Sequence, residues 1–101
     1  MAGLIYKICT RAEWEAATKE GVYRGSAVDL RDGFIHFSTE EQVEGTLHRH
    51  FAGQTGLLLV GVDPADLGSA LRFEVSRGGA FFPHLYGPLP TALVRQVRDV
   101  P

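Results

Sequence analysis

The pattern of hydrophobic and polar positions along the chain predicts several short strands. Residues 4–9 form an apolar run that one lysine interrupts, and residues 57–62 form a continuous apolar run. A continuous run suits a central strand that is covered on both faces. Residues 71–76 alternate, and a last strand is predicted over residues 93–100. The alternation predicts that one side of the strand over residues 71–76, with Leu71, Phe73 and Val75, faces the core.

Two amphipathic segments predict the main helices. Thr10 is followed three residues later by a glutamate, which is the spacing of a capping box, and Gly21 ends this first segment. The second helix is predicted to begin after Ser38, with Glu41 at the box position. Its apolar residues recur every four positions. Residues 22–31 show no period, so we expect an irregular loop there.

These elements together predict the fold class. Strands separated by two helices, with a strand-rich second half, are typical of an α+β protein. The chain has 101 residues, which is one domain of ordinary size, and we therefore expect a single domain over residues 1–101.

Composition narrows the classes of partner. The formal net charge of -2 predicts no broad nucleic-acid surface, and no apolar run approaches the roughly 18 residues of a membrane span. Cys9 is the single cysteine, which gives no internal disulfide and favours a cytoplasmic location. The start of the chain lacks the pattern of a secretory leader. We expect the Cys9 thiol to be buried and inert.

The most informative stretch begins with a turn at Gly33 and continues as a short aromatic strand over residues 34–37. Because side chains alternate along a strand, Phe34, His36 and Ser38 are predicted to share one face. His36 then lies beside a helix N-terminus, which favours anions. The alternative interpretation is a capped helix next to a histidine that hydrogen-bonds locally.

A second polar stretch covers residues 76–87 and combines glycines, prolines, aromatic residues and a histidine. Glycines let the backbone approach a ligand closely, and an arginine grips phosphate or carboxylate with its planar fork. The alternative is a structural loop whose arginine pairs with an acid such as Glu74. The residues that we single out here are Ser76, Arg77, Gly78, Gly79, His84 and Tyr86.

Other chemistries find little support in the sequence. There is no set of cysteines and histidines with the spacing of a metal site and no phosphate-binding glycine loop, so we predict no metal. Ser38 and His36 share a strand face and cannot easily aim at one another, which argues against a hydrolytic pair. Tyr23 can close over a site from the loop before it, or it can pack at the rim.

With these residues in view, the sequence resembles the bacterial family catalogued as domain of unknown function 952. The likeness covers nearly the whole chain, and the family implies no particular activity. The residues that carry it are Ile5-Tyr6-Lys7-Ile8, Trp14 with Ala17, Gly21, Tyr23, Gly33-Phe34-Ile35-His36-Phe37-Ser38 with Gln42, Thr46-Leu47, the apolar strand to Asp63, Glu74, Ser76-Arg77-Gly78-Gly79 and Pro83-His84-Leu85-Tyr86-Gly87.

More distantly, the order of motifs is similar to that of the RNA 2'-phosphotransferases, which have the ADP-ribosyltransferase fold and use NAD. This resemblance implies a strongly bent, split, mixed or antiparallel β-sheet with a nucleotide cleft between its halves, lined by His36 and Ser38. It also makes NAD the first cofactor to test. Lys7 stands where those enzymes place a histidine that holds the NAD ribose, and Ile8 stands where they have a glycine. An ammonium group donates hydrogen bonds but accepts none.

Two functional hypotheses follow, together with a structural alternative. The first is a nucleotide-handling enzyme, a transferase of ADP-ribosyl or phosphoryl type that acts on NAD, ADP-ribose or phosphorylated ribose. The second is a non-catalytic module that binds a small anionic ligand or a protein partner. The third is that the polar residues only hold the bend of the sheet. The candidate catalytic residues are His36, Glu74 and His84, and the candidate ligand-binding residues are Lys7, Tyr23, Ser38, Ser76, Arg77, Gly78, Gly79 and Tyr86.

The hypotheses share one geometric expectation. His36 and the stretch from Ser76 to Tyr86 should line the same pocket although they are far apart in the chain. The substrate and the oligomeric state are left open by the sequence.

Overall fold

The computed structural model of the protein describes residues 3–101, apart from the side chain of Arg77. The fold is α+β, as predicted, and the strand pairs of the described chain are antiparallel. The strands are β1 (Ile5–Thr10), β2 (Val22–Tyr23), β3 (Ile35–His36), β4 (Ser38–Thr39), β5 (Leu57–Val62), β6 (Leu71–Val75), β7 (Phe81–Leu85), β8 (Leu89–Pro90) and β9 (Val94–Asp99). The helices are α1 (Arg11–Glu20), α2 (Ala27–Asp32) and α3 (Glu40–His50), and short 3-10 turns span Pro64–Ala70, Arg77–Gly79 and Thr91–Leu93.

The largest sheet has four strands in the order β4-β1-β5-β9. Every residue of β5 is buried, which confirms the central strand that the continuous apolar run predicted. One face of this sheet packs with Trp14, Ile35 and Phe37 in the larger core cluster, and the other face packs under α3. Among the described residues no helix is long and apolar enough to cross a membrane.

Helix α1 follows its local sequence signals closely. The backbone N–H of Thr10 donates to Glu13 Oε1 at 2.9 Å, and the N–H of Glu13 donates back to Thr10 Oγ1 at 3.1 Å, which is the predicted capping box. Gly21 ends the helix at a φ of 87°, a value that glycine adopts without steric cost. Trp14 and Ala17 are buried, so the inward face of α1 is also as predicted.

Helix α3 begins one residue later than the sequence suggests. Its N-cap is Thr39, whose backbone N–H donates to Gln42 Oε1 at 3.0 Å, so the predicted cap at Ser38 and box at Glu41 are wrong. The reason is that Ser38 pairs with Tyr6 as a residue of β4. Its buried hydroxyl is hydrogen-bonded to Thr46 Oγ1 at 3.0 Å, beneath α3.

The stretch predicted as an irregular loop contains ordered elements. Residues 22–31 include β2 and most of α2, which Gly33 ends at a φ of 87°. Ser26 caps α2: its N–H donates to Asp29 Oδ2 at 2.9 Å and its Oγ accepts from the N–H of Asp29 at 3.3 Å. A serine followed three residues later by an aspartate is a capping-box pattern, so the sequence did contain a signal for this helix.

A second sheet has three strands in the order β3-β7-β6. The predicted inward side of β6 is wrong for two residues, because Phe73 and Val75 are 49% and 60% exposed. The cause is that β6 is an edge strand, and only Leu71 packs against the core. The stretch predicted as a loop over 76–87 is a tight turn at Arg77–Gly79 followed by β7.

Candidate functional site

Two histidines meet on one face of the three-stranded sheet. His36 on β3 lies directly opposite His84 on β7, and their ring centroids are 5.5 Å apart. The next pair along carries a hydrogen bond from the N–H of Phe37 to the carbonyl of Pro83 at 2.9 Å. His36 and His84 therefore form a non-hydrogen-bonded pair, the kind in which antiparallel neighbours bring their side chains closest.

Asp29 holds His36 from the side of the sheet. Its Oδ1 accepts from the backbone N–H of His36 at 3.1 Å and lies 2.6 Å from the ring Nδ1. Its Oδ2 lies 2.7 Å from Nζ of Lys7 and accepts from the N–H of Ser26. An ionised carboxylate only accepts hydrogen bonds, so the Nδ1 of His36 carries a proton in this contact. Both Asp29 and Lys7 are buried, so their charges neutralise each other inside the fold.

The charge state of Asp29 follows from these contacts. Burial by itself raises the pKa of this carboxyl, but the hydrogen bond from His36 and the charge of Lys7 outweigh it. The net result is a pKa well below the usual range of an aspartate, so Asp29 stays ionised. Gly25 makes room for this side chain, since a Cβ on Gly25 would lie 2.7 Å from the Cβ of Asp29.

A second carboxylate lies on the outer side of His36. Oδ2 of Asp32, the last residue of α2, lies 3.1 Å from the ring Nε2. The hydrogen bond from Arg31 is the main cause that lowers the pKa of Asp32, and His36 adds to it. The His36 ring therefore lies between two carboxylates of the same short helix.

His84 has its own carboxylate partner on β6. Glu74 Oε1 lies 2.8 Å from Nδ1 of His84 and accepts from the hydroxyl of Tyr86 at 2.7 Å. The Tyr86 hydrogen bond and then the His84 contact lower the pKa of Glu74, and the same bond raises the pKa of Tyr86. Arg72, opposite His84 in the register, places its guanidinium carbon 5.1 Å from the centre of the Tyr86 ring.

Phe34 joins the two histidine groups into one surface. Its ring centre lies 4.1 Å from that of His84 in a stacked arrangement, 4.5 Å from that of His36 and 5.2 Å from that of Tyr86. We call this surface the histidine cluster and define it by these residues: Lys7, Asp29, Asp32, Phe34, His36, Arg72, Glu74, His84 and Tyr86.

A shallow groove of about 280 Å³ adjoins the cluster. It shares Asp29 and Phe34 with the cluster and extends towards the exposed Arg24, whose Nε lies 3.1 Å from Glu20 Oε2. The residues that line it are Arg24, Asp29, Leu30, Gly33, Phe34, Ile35, Gly87 and Pro88. A ligand that reaches the histidine cluster thus has an adjacent surface with apolar, aromatic and basic groups.

The residues predicted for a site divide into two groups. The structure brings together His36, Glu74, His84, Tyr86 and Lys7, of which Tyr86 directly follows β7 and the others lie on four different strands. The ammonium group of Lys7 is buried and in contact with Asp29, and its role as a ligand-binding residue stays a prediction.

Two of the predicted ligand-binding residues lie elsewhere. Ser38 belongs to the four-stranded sheet, so the predicted shared face with His36 is wrong. Tyr23 is buried against Trp14, with ring centres 6.3 Å apart, and does not line the groove. Its hydroxyl has no hydrogen-bond partner in the part of the chain that the structure describes, and burial raises its pKa.

The glycine turn lies at the end of the strand that carries Glu74. Ser76, Gly78 and Gly79 form the end of the β6–β7 hairpin, and both glycines have a φ of 82°. Ser76 is two positions beyond Glu74 of the cluster, a separation of about 7 Å along an extended strand. The positive φ of the two glycines serves the turn, and their predicted contact with a ligand stays a prediction. The side chain of Arg77 lies outside the described part of the structure, so its predicted contact with a ligand stays a prediction.

Sequence reasoning missed four members of the cluster: Asp29, Asp32, Phe34 and Arg72 as site residues. The capping pattern that starts at Ser26 could have placed Asp29 on a helix. Nothing in the local sequence indicates that this helix packs against β3. No group of three or more metal-binding side chains is arranged to hold an ion within residues 3–101 as described.

The fold and the cluster define a small α+β domain with a polar and aromatic site on a three-stranded sheet. The chain belongs to the family described as Protein of unknown function (DUF952), whose model matches residues 8–97. The predicted family is thereby confirmed. The curated proteins contain no match to this chain.

Solved structures similar to the chain come from the protein CC0527 of Caulobacter crescentus. Its crystal structure is 52% identical, with a TM-score of 0.94, and the match covers 97% of this chain and 86% of that one. Its solution NMR structure is 52% identical, with a TM-score of 0.87 and coverage of 96% and 84%. These similarities establish the fold of the family and name no ligand.

Proposed function

We propose that the protein handles nucleotides, and that the histidine cluster binds NAD, ADP-ribose or another phosphorylated ribose and acts on it. The observation that carries this proposal is the contact between His36 and His84, each of which is held by a carboxylate on the same face of the sheet. Histidines oriented by carboxylates are the usual groups for proton transfer in enzyme sites.

The composition of the surface supports a ligand that contains ribose. The carboxylates of Asp32 and Glu74 accept hydrogen bonds from sugar hydroxyls. Arg24 and Arg72 offer planar guanidinium groups to a phosphate. Phe34 and the adjoining groove provide an aromatic and apolar wall against which a base can pack.

His84 is the group that we assign to acid–base chemistry. Glu74 occupies its Nδ1, so Nε2 is the nitrogen through which it would exchange a proton with a ligand. Both ring nitrogens of His36 face carboxylates, so His36 is better placed to position the ligand and the neighbouring ring. Glu74 then acts by orienting His84, and Tyr86 fixes Glu74.

We also propose that the fold is related to the ADP-ribosyltransferase fold. A four-stranded and a three-stranded antiparallel sheet, joined by a core between them, agree with a split and bent sheet. The relation implies that His36 lines a cleft, and the pairing of His36 with His84 on β7 supports it. Lys7 departs from it, because Asp29 holds its ammonium group, and the ribose must be bound by other groups.

A second candidate function is a non-catalytic binding module for a small anionic ligand or a protein partner. The observation that favours it is the low accessibility of His84, whose side chain is 6% exposed. A ring that is stacked under Phe34 and closed in by Glu74 is well suited to shape a site and poorly open to a reacting atom. The same surface would then recognise its ligand without turnover.

Incubation with NAD, followed by the release of nicotinamide, tests the enzyme candidate directly. ADP-ribose and 2'-phosphorylated RNA should be assayed in parallel. Turnover that His84→Gln abolishes, with His48→Gln on the exposed face of α3 as the matched control, supports the assignment. An absence of turnover with all these compounds would rule out the transferase version.

A thermal-shift series separates binding from catalysis. NAD, ADP-ribose and ribose 5-phosphate should raise the melting temperature in a saturable way. His36→Ala, Arg72→Gln and Arg77→Ala test the contribution of the cluster and of the turn, and Arg49→Gln on α3 is the control. Saturable stabilisation without turnover favours the binding module, and equal stabilisation of all variants would place the ligand elsewhere.

A further inference from the structure

In the part of the chain that the structure describes, no strand pairs with the outer edge of β6, and we call this edge the free edge. We propose that β6 pairs antiparallel with β6 of a second copy of the chain, which joins two three-stranded sheets into one of six strands. The pairing would place Arg72 of the partner subunit against Glu74, so that each copy completes the histidine cluster of the other. This pairing does not depend on which ligand the cluster binds.

The main chain of β6 has hydrogen-bonding groups on the side away from β7. β6 is the edge strand of its sheet and is paired with β7. The N–H of Ser76 donates to the carbonyl of Ala80, and the N–H of Tyr86 donates to the carbonyl of Ala70. In an antiparallel pair, residues that hydrogen-bond to the neighbouring strand alternate with residues that do not. Between Ala70 and Ser76, the residues whose main chain bonds to β7 are therefore Arg72 and Glu74.

The residues of β6 that alternate with Arg72 and Glu74 direct their main-chain N–H and C=O groups away from β7. The main-chain groups of Leu71, Phe73 and Val75 therefore point to the free edge. Pro83, opposite Phe73, agrees with this pattern because it has no N–H and its carbonyl accepts from Phe37 on β3. The N–H of Leu71 is bonded to the carbonyl of Gly68. The donors that a second strand would satisfy are those of Phe73 and Val75.

The sequence of β6 is self-complementary about Phe73. In an antiparallel pair centred there, Phe73 lies opposite the partner subunit's Phe73, and Leu71 lies opposite the partner subunit's Val75. Arg72 then lies opposite the partner subunit's Glu74, and the symmetry of the dimer produces this oppositely charged pair twice. Because the Phe73 pair exchanges main-chain hydrogen bonds, the Arg72–Glu74 pairs are of the type with the closest side chains.

The opposite face of the hairpin supplies the apolar part of the interface. Phe73, Val75 and Phe81 lie on it and are exposed, Phe81 to 59%. An unpaired strand of this kind, without lysine, proline or a bulge to protect it, is a site of strand association. Pairing two copies would place these side chains side by side in one continuous apolar strip.

The link to the histidine cluster comes from Glu74. Among the described side chains, its contacts to His84 and to Tyr86 both use Oε1. Within this described part of the structure, the second oxygen, Oε2, is open to a guanidinium that approaches across the free edge. Arg72 of the partner subunit is the group that the register brings there, and its planar fork suits a carboxylate.

Sedimentation equilibrium of the full chain and of charge-reversed variants tests the proposal. We expect the wild-type chain to dimerise, and we expect Arg72→Glu and Glu74→Arg each to weaken dimerisation about tenfold or more, because like charges would then face each other twice. An equimolar mixture of the two variants should restore association as a heterodimer. A chain that remains monomeric up to about 1 mM, or a dimer that Arg72→Glu leaves intact, would overturn the proposal.

Amide hydrogen exchange gives a test that needs no substitution. The N–H groups of Phe73 and Val75 should exchange slowly at high protein concentration and fast on dilution. Those of Arg72 and Glu74 are bonded to β7 and should be slow at both concentrations, which provides an internal control. Fast exchange of Phe73 and Val75 at every concentration, or protection only after an extended peptide is added, would contradict pairing between copies.

Discussion

At the scale of single residues, Asp29 connects several parts of the candidate site. One carboxylate contacts the ammonium of Lys7, the ring and backbone of His36 and the backbone of Ser26. It fixes the orientation of His36 and at the same time neutralises a buried lysine. Loss of this one side chain should therefore affect both stability and ligand binding.

The first prediction concerns Asp29→Asn. We expect the free energy of unfolding to fall by about 3–5 kcal/mol, because the charge of buried Lys7 would lose its partner. Urea denaturation measures this change. Asp32→Asn is the matched control, because Asp32 contacts the other nitrogen of His36 from a more exposed position and should change stability little. The double variant with Lys7→Met and Asp29→Asn should be more stable than Asp29→Asn alone. If the losses of unfolding free energy in the two single variants simply add up in the double variant, Lys7 and Asp29 are not coupled.

The second prediction concerns Cys9. Burial is the main cause that raises the pKa of its thiol to about 12, and its side chain belongs to the larger core cluster, together with Trp14. We expect it to react with a thiol reagent only when the protein unfolds. The rate of labelling should rise with urea in parallel with unfolding. Rapid labelling of the native protein would show that this part of the core opens.

At the scale of elements, the pairing of β1 with β5 leaves little space for a side chain at Gly61. Gly61 on β5 lies opposite Tyr6 on β1, next to an irregularity in the pairing of β5 with β9. A Cβ at this position would lie 3.0 Å from Tyr6 Cε1 and 3.1 Å from Leu4 Cδ1. A side chain at this position would therefore require the Tyr6 and Leu4 side chains to shift by a few tenths of an ångström.

The third prediction compares two glycines. Gly61→Ala should destabilise the protein by about 1–3 kcal/mol, because the added methyl group overpacks the core. Gly45→Ala is the control: Gly45 lies inside α3 with open space around its Cα, and alanine there should stabilise the helix by about 0.5–1 kcal/mol. Thermal unfolding of both variants gives the comparison. Equal shifts of the same sign would contradict the packing argument.

At the scale of the whole molecule, the candidate site exists because three separate parts of the chain meet. The helix α2 brings Asp29, β3 brings His36, and the β6–β7 hairpin brings Glu74 and His84. The site therefore forms only when the tertiary structure forms, and conditions that unfold the chain should also abolish ligand binding.

The fourth prediction is the dependence of global stability on pH. The pKa of Asp29 is lower in the folded state than its value of about 3.9 in an unfolded chain, so folding is favoured when the group is ionised. This contribution is fully present above about pH 4 and is lost as the pH falls towards the folded-state value. The wild-type protein should exceed Asp29→Asn in stability above about pH 4, with a difference that shrinks on acidification. A constant difference down to the acid limit would show that Asp29 titrates normally.

Local signals in the sequence were sufficient for much of the framework. The capping box of α1, the end of α1 at Gly21 and the buried strand β5 depend on residues close in the chain, and each was predicted. The cap of α3 was missed by one residue because Ser38 pairs with Tyr6, a contact that no local pattern contains.

The sequence by itself determined the fold class, because residue type and short spacing reflect local backbone preferences. It also indicated the family, through the resemblance of its motifs, and those motifs contain two histidines worth testing. Only the tertiary structure decided that Asp29 joins Lys7 to His36, that His84 lies against His36, and that Phe73 stays exposed on an edge strand. These features depend on strand register and on packing between distant segments. They are set by which surfaces meet when the sheets assemble, and periodicity along the chain does not contain that information.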